Sequence, residues 1–275
     1  MVPAPTPPDY ESDPLYQQAQ QLQDKDIRKA MGMLEDAIAK APEDPHSAPY
    51  YLLLGRLKKE YTHYPEYDAG SPERTKQNIK EFREYAQARP TEFFHDSPSD
   101  EYLYDGFHFK ELEKRFPSSA LAAEAGYEIT NLSQGGECEG LILCYISGAF
   151  EPVRKFLTQY PDSPHTAEAA QRADDAFRKT LWGDRWKTDL GEITDPTKAT
   201  DYYDPAELKK LVEQYEELGE KLPSRFRPRI YETAAYYHAR LRETDRARTL
   251  YERILSQFPD YENMREVRQK LAALK

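Results

Sequence analysis

The chain is expected to fold as an all-α protein, a right-handed superhelix of stacked helical hairpins. Three observations lead there. An apolar or aromatic residue followed by proline recurs after amphipathic runs, at Ala41-Pro42, Phe116-Pro117, Tyr160-Pro161 and Phe258-Pro259. Proline cannot continue a helix and pushes the residue before it out of the α region, so each pair ends one helix and turns into the next. Residues counted back from these prolines repeat a small and large order. Finally, 39% hydrophobic content in 275 residues suffices for a sizeable core, which a solenoid lays down as a strip between neighbours.

The elements follow in order. Residues 1–12 open with Val2-Pro3-Ala4-Pro5-Thr6-Pro7-Pro8, a proline-rich arm that reads as an extended tether or as the start of a mature exported chain. Residues 13–275 read as a single solenoid. Its first helix, Leu15 to Leu22, departs from the pattern at Gln17 and Gln18; Ala30, Leu34 and Ala37 mark the next. Tyr51, Leu54 and Gly55 supply a further first helix, and Phe82 before Pro90 a further second one. Phe109 and Leu112 precede Pro117, and Ala149, Val153 and Phe156 precede Pro161. The last complete unit runs Tyr231, Ala234, Ala235, His238, then Ala247, Tyr251, Ile254 before Pro259. A small residue lets two helix backbones approach closely, while a large one fills the space between neighbouring hairpins. About five hairpins result, unevenly spaced.

On these residues the chain resembles tetratricopeptide-repeat proteins. More narrowly it is similar to the outer-membrane β-barrel assembly lipoproteins and related periplasmic repeat proteins, through two turns leading into alanine-rich helices. These are Phe116-Pro117-Ser118-Ser119 before Ala120, Ala122, Ala123 and Ala125, and Tyr160-Pro161-Asp162-Ser163 before Ala167, Ala169 and Ala170. The sequence departs from that family in its irregular spacing, two insertions and the absence of a lipid-carrying cysteine at the N-terminus. The resemblance implies a periplasmic or otherwise exported location, with protein partners in an envelope or membrane-protein complex.

Composition narrows the function. Net charge is −11, from 49 acidic and 38 basic residues, which argues against sequence-independent nucleic-acid binding. No apolar run approaches the roughly 20 residues that span a bilayer. There is no glycine-rich phosphate loop and no Gly-x-Ser-x-Gly elbow, and abundant carboxylates on helical faces do not single out a catalytic pair, so no enzyme and no cofactor are expected. His95 to His108 gathers carboxylates and imidazoles. It lacks a sharp-turn glycine, and Pro98 interrupts it, so it reads as a helix-capping linker in which Ser97, Ser99 or Asp100 starts the next helix, not as a metal site. His238 is expected to pack.

Cys138 and Cys144 lie six residues apart in a stretch that also carries Gly135, Gly136 and Gly140. In an oxidising compartment they are expected to form a disulfide closing a small loop; in a reducing one Cys144 is a buried thiol and Cys138 an exposed one. The insertion at 183–203, beside Trp182, carries Arg185, Trp186, Tyr202 and Tyr203. It reads either as a loop plugging the space between hairpins or as a partner-contacting lip. Among 21 tyrosines, Tyr51 and Tyr231 match core positions, while Tyr50 and Tyr237 are candidates for a concave groove lined by first helices. Partner contacts are therefore expected from Tyr50, Tyr237, Trp182, Arg185, Trp186 and Tyr202. The expected function is a non-catalytic protein interaction scaffold; the alternative is a carbohydrate or cell-wall polymer binding module that stacks its ligand on the aromatic insertion.

Overall fold

The computed structural model describes residues 10–63, 71–132, 142–181 and 204–274. They are helical apart from one short β-hairpin. Contacts divide the chain into two compact units, Met1–Glu137 and Cys138–Lys275.

In the first unit α1 (Pro14–Leu22) packs on α2 (Ile27–Lys40), and α2 on α3 (Ala48–Tyr61). The starts of α1 and α2 are each capped by an aspartate side chain. Asp13 accepts the Tyr16 backbone N–H at 2.8 Å and Asp26 that of Lys29 at 3.0 Å, satisfying donors a helix cannot satisfy itself. The core side of α2 is Ile27, Ala30, Met31 and Leu34, the 3.6-residue stripe expected from the sequence.

The second helix of the α3 hairpin is not the one expected. A helix does form around Phe82, α4 (Pro72–Gln87), but the element packed along α3 is α5 (Phe107–Arg115). The Phe109 ring lies so close to Gly55 that an added Cβ would stand 2.5 Å from it. Only glycine admits the ring there, so Gly55 and Phe109 together select the pair. The chain between them is an insertion, made of α4 and a β-hairpin of β1 (Phe93–Asp96) and β2 (Glu101–Tyr104).

The hairpin corrects the reading of His95 to Asp105 as a capping linker. Phe93 pairs with Tyr104, Phe94 with Leu103, His95 with Tyr102 and Asp96 with Glu101. Aromatic residues on both arms favour a pleated surface, and the intervening Ser-Pro-Ser-Asp turns the chain with Asp100 at φ 55°. Phe93 and Tyr104 point inward and are buried. Edge-to-face contacts hold the insertion to α3: Tyr61 meets Phe82 at 5.4 Å and Tyr85 at 5.3 Å, and Phe93 meets both of those rings at 5.9 Å. Gly106, at φ 84°, then turns the chain into α5, which packs on α6 (Ala120–Ile129).

In the second unit α7 (Ile142–Gln159) packs on α8 (Thr166–Leu181), α9 (Pro205–Lys221) on α10 (Arg227–Arg240), and α10 on α11 (Thr244–Gln257), which meets α12 (Met264–Ala273). Contacts of α9 with α7 and of α10 with α8 join successive pairs. Phe150, Phe177 and Tyr215 form an aromatic centre with ring spacings of 4.5 to 5.7 Å. Ala234, Ala235, Ala247, Tyr251 and Ile254 are all buried, as the repeat pattern requires.

Gly55→Ala is expected to force the Phe109 ring aside and to cost about 1 to 3 kcal/mol, whereas Tyr251→Ala, which empties a fully buried site, costs about 3 to 5 kcal/mol. Urea denaturation followed by circular dichroism measures both; losses near zero would mean that these residues do not fill the positions described.

Candidate functional site: a groove in the second unit

A groove of about 640 Å³ lies between α8, the turn entering α10 and the turn between α11 and α12. Ala167, Ala170 and Gln171 line one side, from the first turns of α8. Arg225 and Phe226, in a 3-10 turn, and Pro228 and Arg229, in the first turn of α10, line the second. Phe258, Pro259, Asp260, Tyr261 and Glu262 line the third. Prolines end the preceding helices and so place both turns at the same end of their hairpins.

The floor holds Asp174, which is 1% exposed. A carboxylate at that depth needs compensation, and four groups supply it. The Tyr215 hydroxyl donates at 2.9 Å, Thr233 Oγ1 at 2.8 Å and Arg229 Nε at 2.5 Å, and Arg178 Nε lies 2.7 Å away as an ion-pair contact. Glu232, also 1% exposed, stands beside this cluster. It accepts from Lys270 at 2.5 Å, from the Tyr261 hydroxyl at 2.7 Å and from Asn263 at 3.1 Å, with Arg178 3.7 Å off. Burial works to raise the Glu232 pKa, but its donors outweigh this and hold it below the usual carboxylate range; burial pushes the Tyr215 and Tyr261 phenols up. Three cations thus surround two buried carboxylates.

Arg225 is exposed and lies over its neighbour Phe226, 4.8 Å from the ring centroid. Arg229 is 41% exposed, with Nε committed to Asp174. A guanidinium has five N–H donors in a fixed fork, so this anchoring leaves its terminal amino groups for another acceptor.

A second polar cluster lies between α9 and α10. His238 is 1% exposed and bridges two carboxylates, Nδ1 to Glu243 Oε2 at 2.7 Å and Nε2 to Glu216 Oε2 at 3.3 Å. Burial alone would lower its pKa; the two hydrogen bonds outweigh burial and raise it above the ordinary histidine value. Arg246 pairs with Glu216 and Lys209 with Glu243, so both carboxylates are held below their usual range against the effect of burial.

Residues expected from the sequence to contact a partner are distributed differently. Tyr237 does not face an open groove: it is 5% exposed, between α10 and α8, and its hydroxyl donates to the Phe177 carbonyl at 2.5 Å. The register that places Ala234 inward also turns Tyr237 inward, one turn further along α10. Tyr50 is half-buried and donates to Asp13 Oδ2 at 2.9 Å; burial and that carboxylate push its phenol up to about 12. Tyr51, Tyr231 and His238 are buried as expected. Trp182, Arg185, Trp186, Tyr202 and Cys138 lie outside the described residues, and Cys144 is disulfide-bonded. His108 is a core residue, paired with Tyr104, whose hydroxyl is hydrogen-bonded with its Nδ1 at 3.1 Å and accepts its backbone N–H at 2.9 Å. Burial, with the nearby Lys58 charge, holds its pKa well below normal. Among the described residues no group of three or more His, Cys, Asp or Glu is placed to hold a metal ion.

The groove residues Asp174, Arg225, Phe226, Arg229 and Tyr261 were not anticipated. A signal existed in Arg225-Phe226-Arg227-Pro228-Arg229, a basic run without a carboxylate in an acidic chain.

A tetratricopeptide-repeat family model matches residues 228–274, the stretch that contains nearly all of α10, α11 and α12. No curated protein matches the chain. The chain therefore carries a tetratricopeptide repeat, and the groove borders it.

Stability should respond to pH through His238. Its raised pKa means that its contribution is complete below the unfolded value, near 6.5, and is lost as pH rises through the higher folded value. Denaturation of wild type and His238→Gln between pH 6 and 9 should give a stability difference that shrinks with rising pH; a constant difference would show that the imidazole is not charged in the fold.

Proposed function

We propose that this protein is a non-catalytic scaffold that binds another protein through the groove of its second unit. The observation that carries this reading is an open, aromatic-walled groove bordered by a tetratricopeptide repeat, whose arginine is set in place by a buried carboxylate before any partner arrives. Repeats of this class generally mediate protein interactions. A preformed groove binds with little backbone ordering cost, and aromatic and arginine side chains supply most of the energy of such interfaces.

The reading extends to an exported compartment and an envelope complex. Support comes from the disulfide at Cys144, a bond that persists in oxidising compartments, and from the two alanine-rich turns noted in the sequence.

Two experiments test these statements. Ala167 is exposed at the groove wall, so Ala167→Trp should fill the groove without disturbing the core. Crosslinked pull-downs from source cells are expected to recover a defined protein with wild type and to lose it with Ala167→Trp at unchanged melting temperature. A partner retained by the blocked variant would place binding elsewhere. For the compartment, protein isolated from source cells should resist alkylation until reduced. Free thiols before reduction would remove the export reading.

A further inference from the structure

We infer that the groove takes an extended partner segment in which one acidic side chain stands beside aromatic or aliphatic ones, the carboxylate resting on Arg225 and Arg229. This deepens the scaffold reading and rests on it.

Charge carries the argument. Under the groove the buried Asp174 and Glu232 stand against Arg178, Arg229 and Lys270, with the exposed Glu266 3.9 Å from Lys270, so the buried carboxylates are fully compensated without Arg225. Arg229 spends its Nε on Asp174 and turns the rest of the fork outward. Arg225 adds a second guanidinium at the same wall, held by its contact with Phe226. Arg227, between them, donates instead to the Leu222 and Glu220 carbonyls at 3.3 Å, so the chain's alternation sends one arginine back to the end of α9 and two towards the groove. A planar fork is suited to a carboxylate, and charge-assisted hydrogen bonds to it are the stronger kind.

The opposite side limits the ligand. Asp260 and Glu262 are exposed on the turn after α11. They repel a run of acids, so a polyanion is disfavoured and a single carboxylate on the arginine side fits. Phe226, Phe258, Tyr261 and Pro259 offer apolar surface to neighbouring side chains, and Gln171 and Gln257 offer carboxamides to a peptide backbone.

The test is selection of a displayed library of random linear peptides on the full-length protein, with the enriched peptide then labelled and titrated by fluorescence anisotropy. Expected are peptides with an Asp or Glu next to aromatic or aliphatic residues, bound by wild type and not by Ala167→Trp. Replacing that acid by its amide, or making Arg225→Ala, should weaken binding roughly ten- to a hundredfold, the range for a hydrogen bond to a charged group. Arg265→Ala, on the exposed face of α12, should leave it unchanged. Arg225 is exposed, so its variant should melt as wild type does. Peptides that occupy the groove yet tolerate both changes would overturn the inference while leaving the scaffold reading in place. Failure to enrich any groove-dependent peptide would overturn both.

Discussion

Among the described residues, two hairpins are keyed to the helix before them by a buried basic side chain on their first helix. Lys58 on α3, fully buried, reaches Glu35 on α2 at 2.6 Å and also pairs with Glu92. His238 on α10 reaches Glu216 on α9 and also pairs with Glu243. The two constellations are equivalent: each carboxylate stands seven residues before its turn proline, and each cation seven residues after the core tyrosine, Tyr51 or Tyr231. A buried charge of this kind is costly unless both sides are present, and removing one partner leaves the other uncompensated. The pairs therefore fix which helix faces meet, more than they add net stability. The apolar packing around them, Leu54 and Leu57 in one case and Ala234 and Ala235 in the other, supplies the energy.

A matching repetition governs two of the turns. Pro42-Glu43-Asp44-Pro45-His46-Ser47-Ala48 and Pro161-Asp162-Ser163-Pro164-His165-Thr166-Ala167 have the same layout. The Ser47 hydroxyl donates back to the Ala41 carbonyl at 2.6 Å, and Thr166 to the Tyr160 and Pro161 carbonyls at 3.3 and 2.9 Å. Both hydroxyls are buried and satisfy carbonyls left over at the end of the preceding helix. These turns aim α3 and α8, and the second of them places Ala167 at the groove wall.

The groove inherits its chemistry from this arrangement. Asp174 sits on α8 where it meets α9 and α10, so Tyr215, Arg229 and Thr233 all converge on it. A buried carboxylate satisfied by partners from other helices is rigid, and it passes that rigidity to the arginine at the groove surface.

Much of the architecture was legible from the chain alone. Proline after an apolar residue is a local steric fact, and the small and large order at Ala234, Ala235, Ala247, Tyr251 and Ile254 has a period that only a helix satisfies, so the helical hairpins and the burial of Tyr51, Tyr231 and His238 followed without a structure. What only the tertiary structure decided is pairing and orientation across distance. Phe109 and not Phe82 lies under Gly55, because which ring enters a glycine notch depends on a packing partner more than fifty residues away. The strands at Phe93 and Tyr104 form because Tyr61, Phe82 and Tyr85 shelter them, a context that a four-residue run does not carry. Tyr237 is buried and Arg229 presented by the same helix, a difference of rotation around its axis that matters only once α8 lies against it.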